Sequence, residues 1–153
     1  MGGELSGWAE RLNALGCRQF HLYDRESEPE TSQRRQLAER VNARENCQAR
    51  VTTKRSLENY LHADAIAAAG GGALDFDDDD CIASMLARSW YERVPQWTAW
   101  PVLTRRAKQR LLNRTKRWLN TQAVEQMTLE LLMKRDPAGE LLGWLAQIAA
   151  MAE

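Results

Sequence analysis

The chain has 153 residues, 44% of them hydrophobic and 27% charged, enough to bury a core in one domain and too apolar for wholesale disorder. No apolar run approaches the roughly 20 residues that a membrane span requires, and no basic-then-apolar leader opens the sequence, so a cytoplasmic protein without a membrane partner is expected. Twenty-one bases balance 21 acids, which excludes a uniformly basic or acidic binding protein while leaving room for local charge blocks.

In chain order, Leu5, Trp8, Leu12 and Leu15 recur at spacings of three and four, predicting a helix that Gly16 ends. Arg18–Tyr23 reads as a short strand with Phe20 and Leu22 on one face. Ser27-Glu28-Pro29-Glu30 is a turn, and a helix follows from Thr31 to about Glu45 with Leu37, Ala38 and Val41 inward. Cys47–Thr53 reads as a second strand, parallel to the first, so that strand, helix and strand form one right-handed crossover. Ser56 is a candidate N-cap for a helix reaching Ala69, with Leu57, Leu61 and Ala65 on its buried face. Gly70-Gly71-Gly72 stops it.

Asp75, Asp77, Asp78, Asp79 and Asp80 then form an acidic knot. Its residues are consecutive rather than spaced as in a calcium loop, and a solvated linker with helix-capping acids accounts for them. Cys81–Arg93 reads as a helix, and Val94–Pro101 as an irregular loop. Further helices are expected over Leu103–Leu119, Gln122–Lys134 and Ala138–Met151. Trp90, Trp97, Trp100, Trp118 and Trp144 read as packing anchors. The fold class is therefore α/β, with a small parallel sheet in the first half and a mostly helical second half. Three cysteines and two histidines, with no CxxC pair, give neither a disulfide framework nor a histidine-rich metal site.

Three features carry chemistry. The first strand ends in Asp24 and Glu26, and carboxylates at the carboxyl ends of parallel strands are placed to hold Mg²⁺ against a phosphate. Spacing alone equally allows a polar turn whose acids cap the next helix. Glu58 follows Lys54 and Arg55 at the start of a helix, where a carboxylate is also favoured by the helix dipole without any further role; the two bases are candidates for phosphate contact. From Arg93 to Val124 no acid occurs, while Arg93, Arg105, Arg106, Lys108, Arg110, Arg114, Lys116 and Arg117 do. Such a block attracts a polyanion, DNA above all, although a solvated face also explains it. Lys108 lies on the side of Leu111 and Leu112, where it is either a snorkelling lysine or one that reaches a phosphate.

Leu22-Tyr23-Asp24-Arg25-Glu26 resembles the Asp-x-Asp strand end of the Toprim domain, the metal-dependent fold of topoisomerases, primases and overcoming-lysogenization-defect (OLD) family nucleases. Lys54-Arg55-Ser56-Leu57-Glu58-Asn59-Tyr60-Leu61 is similar to the basic turn and "ENYL" phrase of the OLD-type members, and Ala107–Leu112 looks like their late lysine. The resemblance covers roughly residues 4 to 150. It implies a partial, Rossmann-like Toprim over residues 4–72 and a helical part over 73–153 of a single domain. By the same resemblance, Asp24, Glu26 and Glu58 would hold Mg²⁺ or Mn²⁺, and Lys108 would assist the scissile phosphate. Lys54, Arg55, Arg105, Arg106, Arg110, Arg114 and Arg117 would then meet DNA in a metal-dependent endonuclease segment.

No Walker motif occurs, so ATP hydrolysis would come from a partner ATPase. The family's first strand and its glutamate have no counterpart before Arg18, and Glu4 and Glu10 are out of place for one. The missing half is expected on another polypeptide, with a homodimer as a further possibility because an open strand edge invites pairing. The alternatives are a non-catalytic DNA- or protein-binding relative, and a helical protein with accidental matches.

Overall fold

A computed structural model describes residues 17–95 and 98–152; the helix expected over Leu5–Leu15, its Gly16 end and Trp97 lie outside them. By its contacts the chain divides into two compact units. One runs up to Arg55 and resumes at Ala138, and the other is Ser56–Pro137. This division differs from a split after Gly72: the stretch from Ser56 to Gly72 belongs with the second unit, and the last helix belongs with the first.

In the first unit, β1 (Gln19–Tyr23) and β2 (Cys47–Val51) pair in parallel, from Gln19 opposite Cys47 to Tyr23 opposite Val51. α1 (Glu30–Asn42) is the crossover. Successive strand residues face opposite ways, so Tyr23, Cys47 and Ala49 share one face and pack under Ala38 and Val41 of α1, with Leu37 and Val51 at the margin. In α1 the inward residues are those that the sequence pattern predicts, whereas in β1 the buried positions are Gln19 and Tyr23 rather than Phe20 and Leu22. Asn42 closes the unit locally: its Oδ1 accepts from Ala49 N at 2.7 Å and its Nδ2 donates to Ala49 O at 3.2 Å. The amide thereby stands in for a neighbouring strand, satisfying backbone groups that an edge would leave open.

The final helix of this unit runs over Glu140–Ala152. Its positions 140, 144, 147 and 151 fall on one side at helical spacing. Glu140 accepts from Thr53 N and Oγ1 at 3.2 and 2.6 Å, and Gln147 accepts from Arg50 Nε at 3.1 Å. Trp144 is buried between them, and the Met151 carbonyl accepts from Arg18 at 2.9 Å. Polar bonds at the ends and one large aromatic in the middle fix this helix along β2.

The second unit contains a 3₁₀ turn (Leu57–Tyr60), α2 (Ala63–Ala68), α3 (Ile82–Glu92), a 3₁₀ turn at Trp100–Val102, α4 (Arg105–Trp118), a π-helical turn (Leu119–Ala123) and α5 (Leu129–Arg135). The terminal helix Glu140–Ala152 is α6. The core of the second unit gathers Leu61, Ile66, Ile82, Ala83, Leu86, Leu119 and Ala123, with Trp90 and Trp118 packed against it. Gly71 is required there, because a Cβ would sit 2.6 Å from Ile66 Cγ2 and 3.0 Å from Trp118.

Two expected helices differ. Ser56–Ala69 is not continuous: Ser56 and Asn59 cap one another reciprocally, which closes a tight 3₁₀ turn, and Leu61 is extended. His62 then begins α2 afresh, its Nδ1 accepting from Asp64 N at 3.2 Å. Leu57, expected inward, is consequently exposed. The helix expected from Gln122 begins instead after Thr128, whose hydroxyl accepts from Leu131 N at 3.2 Å, because α4 runs on through the π turn. Among the described residues no helix is long and apolar enough to cross a membrane.

Candidate functional site at the strand ends

Asp24 and Glu26 lie immediately beyond β1, both partly exposed. The segment leaving β2 is stitched to them by Thr52. Thr52 N donates to Tyr23 O at 3.0 Å, Arg25 N donates to Thr52 Oγ1 at 2.9 Å, and that hydroxyl donates to Lys54 O at 2.6 Å. Glu26 N donates to Arg55 O at 2.8 Å. Glu26 also adopts φ 58°, a left-handed conformation that costs a non-glycine residue about 1 kcal/mol. The bonds to Thr52 and Arg55 hold the turn in that shape, so both acids are presented from a braced loop at the carboxyl ends of two parallel strands.

The charges around this loop are mixed. Arg55 Nε stands 3.9 Å from Glu26 Oε2, with both side chains about a third exposed or less, at 26% and 32%. A pair this long is weak and readily exchanged for another partner. Lys54 is buried at 7% exposure, so it is a residue of the loop's interior rather than a surface base. Deeper in the strand, His21 Nε2 meets Gln19 Oε1 at 3.0 Å and Nδ1 lies 3.5 Å from the Tyr23 hydroxyl. Burial, with the nearby Arg44 charge, lowers the His21 pKa. Burial raises that of Tyr23 against the opposing charges of Arg34 and Arg44.

Glu58 belongs to the second unit. It is 5% exposed and its Oε1 accepts from Asn120 Nδ2 at 3.2 Å. Asn120 sits in the π-helical turn, a rare geometry that re-aims side chains. The neighbouring Asn59 is fully buried. Its Oδ1 accepts from Ser56 N and Oγ, and its Nδ2 donates to the carbonyls of Asp77 and Asp80, each at 3.1 Å. Arg135 completes the arrangement, donating to Asn59 O, Asp77 O and Asp78 Oδ1 at 2.8, 3.2 and 2.8 Å while lying over Phe76. The aspartate knot is thus a loop tied to the Ser56–Asn59 turn.

Of the other expected residues, Lys108 is partly buried and its Nζ donates to Pro101 O at 3.0 Å, closing the loop before α4. Arg105, Arg106, Arg110, Arg114 and Arg117 are all exposed along α4. Trp100 is tilted against Tyr91 at 5.6 Å. Among the described residues, no group of three or more His, Cys, Asp and Glu is arranged to hold a metal ion. The donors present at the strand ends are the two carboxylates Asp24 and Glu26, a set that fits a hard divalent cation, since Mg²⁺ is commonly held by one or two carboxylates with water and phosphate oxygens. Sequence reasoning missed Thr52, Asn120 and Arg135. Only Arg135, a base in the last turn of its helix, carried a local signal.

Comparison of the chain with protein-family models, curated proteins and solved structures gives no match.

Proposed function

We propose that this chain is a Toprim-type segment acting on nucleic-acid phosphodiesters, with Asp24 and Glu26 as its cation-holding acids. The observation that carries the reading is the braced loop: two carboxylates one residue apart at the carboxyl end of β1, fixed by Thr52 and Arg55. When bound there, Mg²⁺ or Mn²⁺ would neutralise phosphate charge and activate water. Asp24 and Glu26 would hold that cation, and the bonds to Thr52 and Arg55 fix the turn that carries them. Arg55, loosely paired with Glu26, can exchange that partner for a phosphate oxygen. Glu58 is given a metal-supporting role by the resemblance alone; within its own unit it is a buried carboxylate held by Asn120 at 3.2 Å.

Isothermal titration with Mn²⁺ and nicking of supercoiled plasmid test the assignment. Wild type should bind Mn²⁺ and nick only with metal, and Asp24→Ala or Glu26→Ala should remove both. Nicking that survives either substitution, or a wild type that neither binds Mn²⁺ nor nicks, overturns it. In the second of those cases a non-catalytic relative that kept the scaffold becomes the better reading.

A further inference from the structure

We propose that α4 is a docking rail for the sugar-phosphate backbone of double-stranded nucleic acid, independent of sequence and of any metal at Asp24 and Glu26. Arg105–Trp118 contains seven bases and no acid. The helix has two sharply different sides. Thr115 is buried, and Leu112 and Trp118 pack on the core. Opposite them, Arg106, Arg110, Arg114 and Arg117 follow one another at intervals of four, four and three, all exposed. Eleven steps of about 1.5 Å each make this row about 16 Å long. Gln109 and Asn113 flank it, joined by a 2.9 Å bond.

Among the described residues none of these four arginines has a carboxylate partner within 4.0 Å, whereas Arg88, Lys134 and Arg135 of the same unit do. In the aspartate knot, the obvious internal counter-charge, Asp78 is paired with Arg135. A single-sign row costs stability through self-repulsion, which a polyanion relieves.

The kind of polyanion follows from what surrounds the row. All four bases are arginines, whose planar forks pair two-pronged with phosphate. A duplex presents one charge per roughly 1.7 Å along its axis, so a straight, rigid row meets several phosphates at once. A membrane surface would need large apolar side chains beside the bases, and those of α4 face the core. A single strand would need exposed aromatic platforms, but among the described residues near the row Trp118 is set edge-on against Trp90 at 4.9 Å and Trp100 lies against Tyr91. Lys108 adds nothing to the row, because its ammonium serves Pro101.

The test is fluorescence anisotropy with a mixed-sequence 24-base-pair duplex, in EDTA, across 50–200 mM KCl. Four phosphate contacts give a slope of log K against log salt of about −3.6, a loss of about 150-fold over that range. Arg110→Ala and Arg114→Ala should each shrink the slope by about one, and Arg110→Glu with Arg114→Glu should abolish binding. Arg40→Ala, on α1, serves as the control, and circular dichroism confirms that each variant is folded. Unchanged slopes in the Arg110 and Arg114 variants overturn the proposal, as does a wild type that fails to bind the duplex. So does tighter binding to a single strand of equal length or to phosphatidylserine vesicles. Because EDTA removes any metal contribution, failure of the phosphodiesterase reading leaves this outcome untouched.

Discussion

Replacing Asn59 should be among the most damaging single changes in the second unit. The side chain is 0% exposed and makes four hydrogen bonds, two accepted from Ser56 and two donated to Asp77 O and Asp80 O. Each bond contributes about 1 kcal/mol net. The Ser56 hydroxyl can turn elsewhere, and Asp77 O keeps the bond from Arg135, but Asp80 O loses the donor that Asn59 supplied. Asn59→Ala should therefore cost about 3 kcal/mol, which for a chain of this size lowers Tm by about 6–12 °C. Asn59→Asp is the sharper probe. It preserves size and the oxygen that accepts both bonds from Ser56, removes both donated bonds, and sets a carboxylate against two carbonyl oxygens beside a run of aspartates. At pH 7 it should be at least as destabilising as alanine, and lowering the pH towards 4 should recover part of the loss, because a protonated carboxyl donates one bond again. Thermal melts by circular dichroism decide it. An alanine variant melting within about 2 °C of wild type would show that the turn and the acidic loop do not depend on one another.

Three further expectations rest on equally local geometry. Arg135→Gln removes the charged bond to Asp78 and the contact over Phe76 and should cost about 2 kcal/mol in urea denaturation, whereas Lys134→Gln, whose partner Glu130 is fully solvated, should be neutral. Leu119→Ala empties a fully buried core position and should cost about 3 kcal/mol, measured the same way. The pKa of His21 is held below its ordinary 6.5 by burial and by Arg44. The unfolded chain therefore takes up a proton first as pH falls through 6.5, and stability should decline below that point until the folded histidine also titrates. A plot of Tm against pH should be flatter in this window for His21→Gln, and an identical slope would contradict the assignment.

The parallel strand pair and its crossover were legible because alternation and a charged helix between two apolar runs leave few other arrangements. Ala38 and Val41 were placed correctly for the same reason, while the alternation in the first strand pointed to Phe20 and Leu22 and missed the buried Tyr23. The break at Leu61 was not legible. Periodicity saw apolar residues at 57, 61 and 65 and joined them into one helix, whereas the decisive bonds run from Asn59 to carbonyls near residue 80, a separation that no local pattern encodes. The helix start at Thr128 was obscured in a similar way, since nothing in the sequence signals a π turn that prolongs α4. At the strand ends the two acids were visible, but Thr52, which braces their loop, looks like any threonine at the end of a strand. The Ser56–Leu61 turn had one visible clue, Ser56 followed three residues later by an amide, which is the spacing of a reciprocal cap.

That turn also separates folding from chemistry in the strongest of the family-like phrases. Ser56 and Asn59 cap each other, Asn59 anchors the acidic loop, and Tyr60 and Leu61 are buried; folding alone accounts for these four. It does not account for Glu58. Burying a carboxylate is costly without strong partners, and the partner seen here is the amide of Asn120 at 3.2 Å. A glutamine would accept the same bond with less desolvation, so a sequence shaped only by stability should carry an amide at this position rather than a carboxylate. Glu58→Gln is expected to leave Tm unchanged or to raise it by a few degrees, about 1 kcal/mol of stability. A drop of that size would instead make the carboxylate a structural member of the turn, and the whole phrase would then be explained without any chemistry at all.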